Sequence, residues 1–415
     1  MSTATGRLAG LWGFLSLLLA IPTATMAVSF LEDVGFSGFA TVGLLRGGDE
    51  VLGYRRDFSR DGVFDNDWRM KPDSLLGLQV DVSLTGKLDA AAQLVAKDRP
   101  NNTLDESLEW AFLRYRPIPG LTLRGGRLGL DLFMLSEYRN LGFSYLWARP
   151  PVEFYGMFPY YHYDGADITY ATALGEGVFR ARLFSGSTQA TILFSSSDVD
   201  IDIDSYVGAM LGWEFDRWQA RLSFASLNQD SSSPGAGQLG AILRQAAGLW
   251  PEAEAIADDL ETKGSRVYYY SAGFIYDPKP WTVQSEISYI DSGYNNVFGS
   301  LWSAYLSLGR RFGPVTVYGL GAQVENTDDR VQVPAAPPPL AELQQQVQTV
   351  YDLSFIKQRS LSLGMRWDIR YDLALKMQWD HTWVDDYGGL LWQQKRPLTD
   401  GETLDTLSIN LNFVF

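Results

Sequence analysis

The chain has 415 residues with a formal charge of −15, no cysteine, two histidines and 40 glycines, and its rings are 22 Phe, 21 Tyr and 13 Trp. Without cysteine there are no thiolate metal sites, disulfides or Cys nucleophiles, and an excess of carboxylates over Lys and Arg excludes a phosphate-neutralising nucleic-acid surface. Hydrophobic residues make up 46% of the chain, yet the mean hydropathy is only −0.10, so apolar side chains are dispersed among polar ones.

Residues 1–27 read as an export signal. Arg7 supplies the positive start, Leu11 to Ile21 the apolar stretch, and Thr25-Met26-Ala27 a small-residue cleavage site. That stretch ends at Pro22, too short to span a bilayer as a helix. The remainder, 28–415, reads as a single domain.

From there the sequence alternates with period two, the pattern of strands with one apolar and one polar face. Sixteen such segments fall at 35–45, 75–85, 88–97, 107–116, 121–128, 165–172, 178–186, 205–214, 217–226, 266–276, 281–290, 300–309, 314–325, 358–368, 371–383 and 404–415. In the last, Leu407, Ile409, Leu411, Phe413 and Phe415 oppose Ser408, Asn410 and Asn412. The connections are expected to alternate between short turns and long loops, the long ones at 46–74, 98–106, 129–164, 187–204, 227–265, 291–299, 326–357 and 384–403. Sixteen strands, short turns on one side and long loops on the other predict an all-β, antiparallel up-and-down transmembrane barrel. Hydrocarbon requires every backbone polar group to be paired, and a sheet achieves this only by closing on itself. Aromatics beside the short turns (Trp213, Trp218, Tyr276, Trp281, Trp367 and Tyr371) and Trp302 suit interfacial belts.

The third long loop, 129–164, is rich in rings and charges: Asp131, Glu137, Arg139, Arg149, Glu153, Tyr155 and Asp164. A loop of this length is functional more often than idle, and its expected path is inward, as a constriction. Strand parity supplies an opposing wall. Arg124, Arg180, Arg182, Arg221 and Arg366 sit on polar faces, whereas Arg114 shares its face with Trp110 and Phe112 and has ambiguous parity. A lipid-facing Arg is costly, so these guanidiniums should point inward. There they either create a transverse field with the loop carboxylates or simply pair with Asp167, Asp81 or Glu286.

The carboxylates of Asp198 to Asp204, Glu252 to Glu261 and Asp328-Asp329 are expected in loops. The Asp198 series lacks the glycine and terminal glutamate of an EF-hand, so no metal and no cofactor is assigned. Leu239, Ile242, Leu243, Ala246 and Ala247 predict a helical insert within 236–262, restarting after Pro251, and Val333 to Pro339 an exposed, stiffened loop.

Two features carry a resemblance: the terminal Leu411-Asn412-Phe413-Val414-Phe415, and Leu121 to Gly129 leading into the long third loop. With the overall pattern, they make the chain resemble a Gram-negative outer-membrane porin. The acidic constriction motif of the enterobacterial porins is not matched, and strand pattern from Gly35 argues against the plug of a TonB-dependent transporter. The resemblance implies a homotrimer surrounded by outer-membrane lipid and lipopolysaccharide, assembled through recognition of Phe415 by the barrel-assembly machinery, and passing small hydrophilic solutes. A substrate-selective channel, an outer-membrane enzyme and a filled structural barrel are the alternatives. His162 and His381 fall in no recognisable Ser/His/acid arrangement, so no catalytic residue is assigned.

Overall fold

A computed structural model describes residues 34–99, 103–194, 197–230, 234–261, 263–293 and 297–415; the expected export signal lies outside them. Sixteen long strands form one closed antiparallel barrel. They are β1 (Val34–Gly47), β2 (Leu75–Thr85), β3 (Leu88–Lys97), β4 (Leu108–Tyr115), β5 (Leu121–Gly129), β6 (His162–Leu174), β7 (Gly177–Phe194) and β8 (Ser197–Phe215), then β9 (Trp218–Gln229), β10 (Arg266–Tyr276), β11 (Trp281–Asp291), β12 (Leu301–Phe312), β13 (Val315–Asn326), β14 (Ile356–Arg370), β15 (Leu373–Gly389) and β16 (Glu402–Val414). Each pairs with its chain neighbour, and β16 returns to β1 with Phe39 opposite Val414 and Arg46 opposite Leu407. A short strand, Asp67–Arg69, adds to the β1 edge, and Leu52–Gly53 pairs with Gln393–Gln394 above it. Among the described residues no helix is long and apolar enough to cross a membrane.

Alternation sets which way each side chain points. In β12, Leu306 is 57% exposed on the outer surface, whereas its neighbour Ser307 is 2% exposed and faces the interior. In β16, Leu407 and Leu411 are exposed outward while Thr406, Ser408, Asn410 and Asn412 are buried inward. Aromatics flank the tight turns on the outer face: Trp218 stacks on Tyr276 with centroids 4.1 Å apart, and Trp213, Trp281 and Trp367 are exposed. The β12–β13 turn needs the left-handed conformation at Gly313, whose φ is +60°, a value glycine adopts without a Cβ clash.

The structure corrects the alternation of short and long connections at one place. Residues 187–204 are not a loop; β7 runs to Phe194 and β8 starts at Ser197, so the two strands project as a long hairpin. The acidic series up to Asp204 therefore lies in β8, where Asp200 and Asp202 pair in register with Thr191 and Gln189.

The long loops have their own packing. Helices α1 (Pro234–Ala246) and α2 (Ala253–Leu260) join α3 (Ala341–Ser354) around Leu243, Trp250, Ile256, Leu260, Val347 and Tyr351. Val333 is buried in the same cluster, so the 333–339 stretch is not a simple exposed loop. A second cluster brings Leu52, Tyr54 and Phe58 of the first loop against Leu390, Leu391 and Trp392 of the last. A third lies inside the barrel, where Phe133, Phe154, Tyr155 and Phe158 pack on inward-facing Tyr269 and Tyr305. The interior is thus packed along β6–β13 rather than uniformly wet.

Candidate functional site

Residues 130–161 connect β5 to β6, and their bonds trace a path across inward-facing side chains of distant strands. Arg149 forms a bidentate pair with Asp73 (Nε–Oδ2 2.7 Å, Nη2–Oδ1 2.8 Å), both groups being almost fully buried. Lys376 of β15 donates to the carbonyls of Trp147 (2.9 Å), Gly142 and Tyr145. Arg366 of β14 donates to Phe143 O at 2.7 Å and Tyr145 O at 3.0 Å, and pairs with Asp368. Trp147 Nε1 donates to Ser307 Oγ at 2.7 Å, and Asn410 Nδ2 to Ala148 O at 2.7 Å. Tyr155 and Tyr305 hydroxyls converge on the Glu286 carboxylate, which also accepts from Met134 N at 2.8 Å. Glu153 accepts from Gln358 Nε2 at 2.9 Å. Arg139 staples the segment to itself through the carbonyls of Tyr155 (2.6 Å) and Phe158 (2.7 Å). A buried backbone carbonyl needs a donor, and on this wall cationic side chains supply it.

Three of the expected arginines meet carboxylates of this segment. Arg124 on β5 pairs with Asp167 at 2.6 Å and reaches Glu137 at 3.4 Å. Arg182 on β7 pairs with Asp131, with Glu137 at 2.9 Å, and with Thr169 Oγ1 at 2.9 Å. Arg221 on β9 reaches Asp131 Oδ1 at 2.5 Å and Ser223 Oγ at 3.0 Å. Burial favours the neutral form of Asp131, but Arg221 and Arg182 outweigh it and hold that carboxyl below the ordinary range. Glu153 has no such partner, and burial raises its carboxyl above that range. A cavity of about 140 Å³ lies among Asp131, Glu137, Tyr138, Arg180, Arg182 and Arg221. Within it Arg182 and Arg221 are largely covered, whereas Arg180 (40% exposed side chain) and Glu137 (44%) reach solvent. Arg180 pairs at 3.1 Å with the exposed Glu214 of β8.

Two expected members lie elsewhere. Asp164 belongs to β6, not to the loop, and period two turns it outward beside exposed Ala166 and Ile168, where it pairs with Arg127 at 2.9 Å. Arg114 does face inward, since Leu113 and Tyr115 are exposed outward, but it pairs with Asp89 at 3.1 Å toward the short turns, away from the segment. Lys376 and Asp73 escaped the sequence reading of the site, while Glu286, expected as a partner of the arginines, accepts instead from Met134 N and the Tyr155 and Tyr305 hydroxyls. Lys376 had a parity signal, alternating with Leu375 and Met377 on β15.

The imidazoles are apart from this cluster. His381 Nδ1 lies 2.8 Å from Asp405 Oδ1, and His162 Nδ1 lies 4.0 Å from Glu109 Oε2.

No family model matches the chain. No curated protein sequence matches it either. Solved structures do share its fold. The outer-membrane channel DcaP of Acinetobacter baumannii is similar over 92% of this chain and 97% of that one, with 12% identity and a TM-score of 0.53. Salmonella typhi OmpF, in a complex with daunomycin, is similar over 94% of this chain and 100% of that one, with 10% identity and a TM-score of 0.54. The anion-selective porin from Comamonas acidovorans is similar over 92% and 99%, with 15% identity and a TM-score of 0.50. The chain therefore has the fold of the outer-membrane porins.

Proposed function

We propose that the protein is an outer-membrane porin, a passive channel for small hydrophilic solutes and ions, filtered where the 130–161 segment narrows the barrel. The observation that carries this reading is the water-accessible cavity among Arg180, Arg182, Arg221, Asp131 and Glu137, lined by wall guanidiniums and by the loop carboxylates that Arg182 and Arg221 bind directly. Opposed charges on facing walls orient dipolar solutes and tax apolar ones. The field that a solute meets is set by the groups that reach solvent, Arg180 with its partner Glu214 and Glu137, because Arg124, Arg182 and Arg221 are largely covered and paired with Asp167 and Asp131.

The outward Leu, Val and aromatic residues support a lipid-facing belt, with short turns on the periplasmic side and long loops outside. Under this reading the 227–265 loop with its helical insert is extracellular. The same proposal includes an export signal over 1–27, a homotrimer, lipopolysaccharide around the long-loop rim, and recognition of Phe415 during assembly. Phe415 is half exposed and stacks on Phe413 at 5.7 Å.

The test is conductance of purified, refolded protein in a planar bilayer. Discrete ohmic steps are expected. Arg180→Glu is expected to shift the reversal potential in asymmetric salt toward cation selectivity, since it inverts an exposed charge without touching the buried pairs. A correctly folded barrel that passes no current in any form overturns the channel reading. An unchanged reversal potential removes Arg180 from the path.

A further inference from the structure

A cavity of about 250 Å³ lies between the inner wall of β1–β4 and residues 136–141, on the side of the barrel where the aromatic cluster has no buried member. Period two turns its strand residues inward: Gln79 follows outward Leu78 (49% exposed), and Gln93, only 6% exposed, precedes outward Leu94. Trp110 lies directly opposite Gln93 across the β3–β4 pair, while Tyr138 and Asn140 line the cavity from the segment side. Glu137 and Tyr138 also line the cavity beside Arg180, so the two spaces share a border.

The polar groups here are held in fixed orientations. A carboxylate only accepts, so Asp81 takes a hydrogen bond from Gln79 Nε2 at 2.7 Å, which leaves Gln79 Oε1 to accept from Gln93 Nε2 at 2.8 Å. The Gln93 carbonyl oxygen is left over, and among the described residues it has no partner. Lys97 donates to Asn140 Oδ1 at 3.2 Å, which fixes the Asn140 amide with its N–H groups as free donors. The Trp110 indole N–H has no partner among the described residues either, although a covered indole usually finds one. Side-chain charges on the cavity are, by contrast, already compensated. Glu109 pairs with Lys97 at 2.6 Å and Arg99 at 2.7 Å, Glu137 pairs with Arg182 at 2.9 Å, and Arg139 donates to the carbonyls of Tyr155 and Phe158.

We infer that this cavity is a binding subsite for a neutral polyhydroxylated solute, a sugar or polyol. The site depends on the channel reading for access, and it gives that channel a substrate class. One unpartnered acceptor beside two unpartnered donors suits hydroxyl groups, each of which both donates and accepts. The rings of Trp110 and Tyr138 offer apolar faces to the C–H side of such a molecule. With its side-chain charges compensated, the cavity gives an ion nothing to replace its hydration. Its volume is below the roughly 300 Å³ at which drug-sized pockets begin, which suits a solute of one ring.

Calorimetric titration of the folded, detergent-solubilised protein reads binding whether or not the barrel conducts. Saturable binding of D-glucose or myo-inositol is expected, and none of cyclohexanol, which keeps a six-membered ring but would leave the site's polar groups unpaired. Gln93→Leu removes the acceptor at similar volume, and Trp110→Phe keeps a ring without the N–H. Each is expected to weaken binding roughly fivefold to tenfold. Binding that neither replacement weakens places the sugar elsewhere and overturns the site. The parent protein alone tests the ligand class, so the result does not hang on a variant that folds: equal binding of inositol and cyclohexanol, or binding of uridine where neither glucose nor inositol binds, overturns the polyol assignment. A barrel that conducts but binds neither sugar nor polyol overturns the site while the porin reading stands. A barrel that binds them but passes no current in a planar bilayer keeps the site and removes the channel reading.

Discussion

Replacing Leu306 with Arg is expected to destabilise the barrel by about 2–4 kcal/mol, the cost of a guanidinium at the lipid midplane. Leu306 lies halfway along β12, is 57% exposed, and sits on the outer face where Leu308 follows it. A soluble barrel would show almost no penalty there, because an exposed Leu→Arg change on a wetted surface stays within about 0.5 kcal/mol. The measurement is urea-induced unfolding in lipid vesicles, with Gln219→Arg as the companion. Gln219 lines the cavity beside Arg180 and Arg221, so a cation there meets water and is expected to be tolerated. Equal stabilities for Leu306→Arg and the parent would mean that this face meets water, and the membrane reading would fall.

The barrel was legible because a membrane-depth strand has to declare both faces. One side must satisfy hydrocarbon and the other the interior, and segments such as Leu301–Phe312 and Glu402–Val414 do so without exception over their centres. The signal faded where that constraint ends. Beyond the hydrocarbon, β7 and β8 need no apolar outer face, so Thr188 to Phe194 and Asp198 to Ile203 read as loop although they pair in register. The strict period of Asp200-Ile201-Asp202-Ile203-Asp204 was the available clue. In the same way Leu343, Val347 and Tyr351 mark one face of α3, but a glutamine-rich background behind a proline run concealed it.

For the site, strand parity located Arg124, Arg182 and Arg221 on the inner wall, and the register even explains one partner, since Asp167 lies directly opposite Arg124 across the β5–β6 pair. The remaining partners come from tertiary structure. Arg149 finds Asp73 across 76 positions, and Asn410 finds Ala148 across 262. No local pattern encodes such contacts. Asp164 was misplaced for a simpler reason: the loop was ended three residues late, so a residue read as loop stands in a strand, where alternation fixes its face.

The Asp73–Arg149 pair is where the loop's position is most exposed to mutation. Asp73→Ala leaves a fully buried guanidinium without its carboxylate, and is expected to cost about 3–5 kcal/mol. Arg149 Nη1 has no hydrogen-bond partner even in the intact structure, and the remaining contact is the face of Tyr54 at 4.5 Å. The relief available to the variant is for the 146–153 stretch to leave the wall and let Arg149 reach water. Unfolding in urea should therefore begin at lower concentration, and bilayer recordings should become noisy, because a detached segment samples several positions. Replacing both partners, Asp73→Leu with Arg149→Met, removes the charge and its desolvation together, and is expected to recover most of the stability. That contrast separates electrostatics from packing. If the double replacement is as unstable as Asp73→Ala alone, the pair matters for shape rather than for charge, and Lys376, Arg366 and Trp147 hold the segment in place without it.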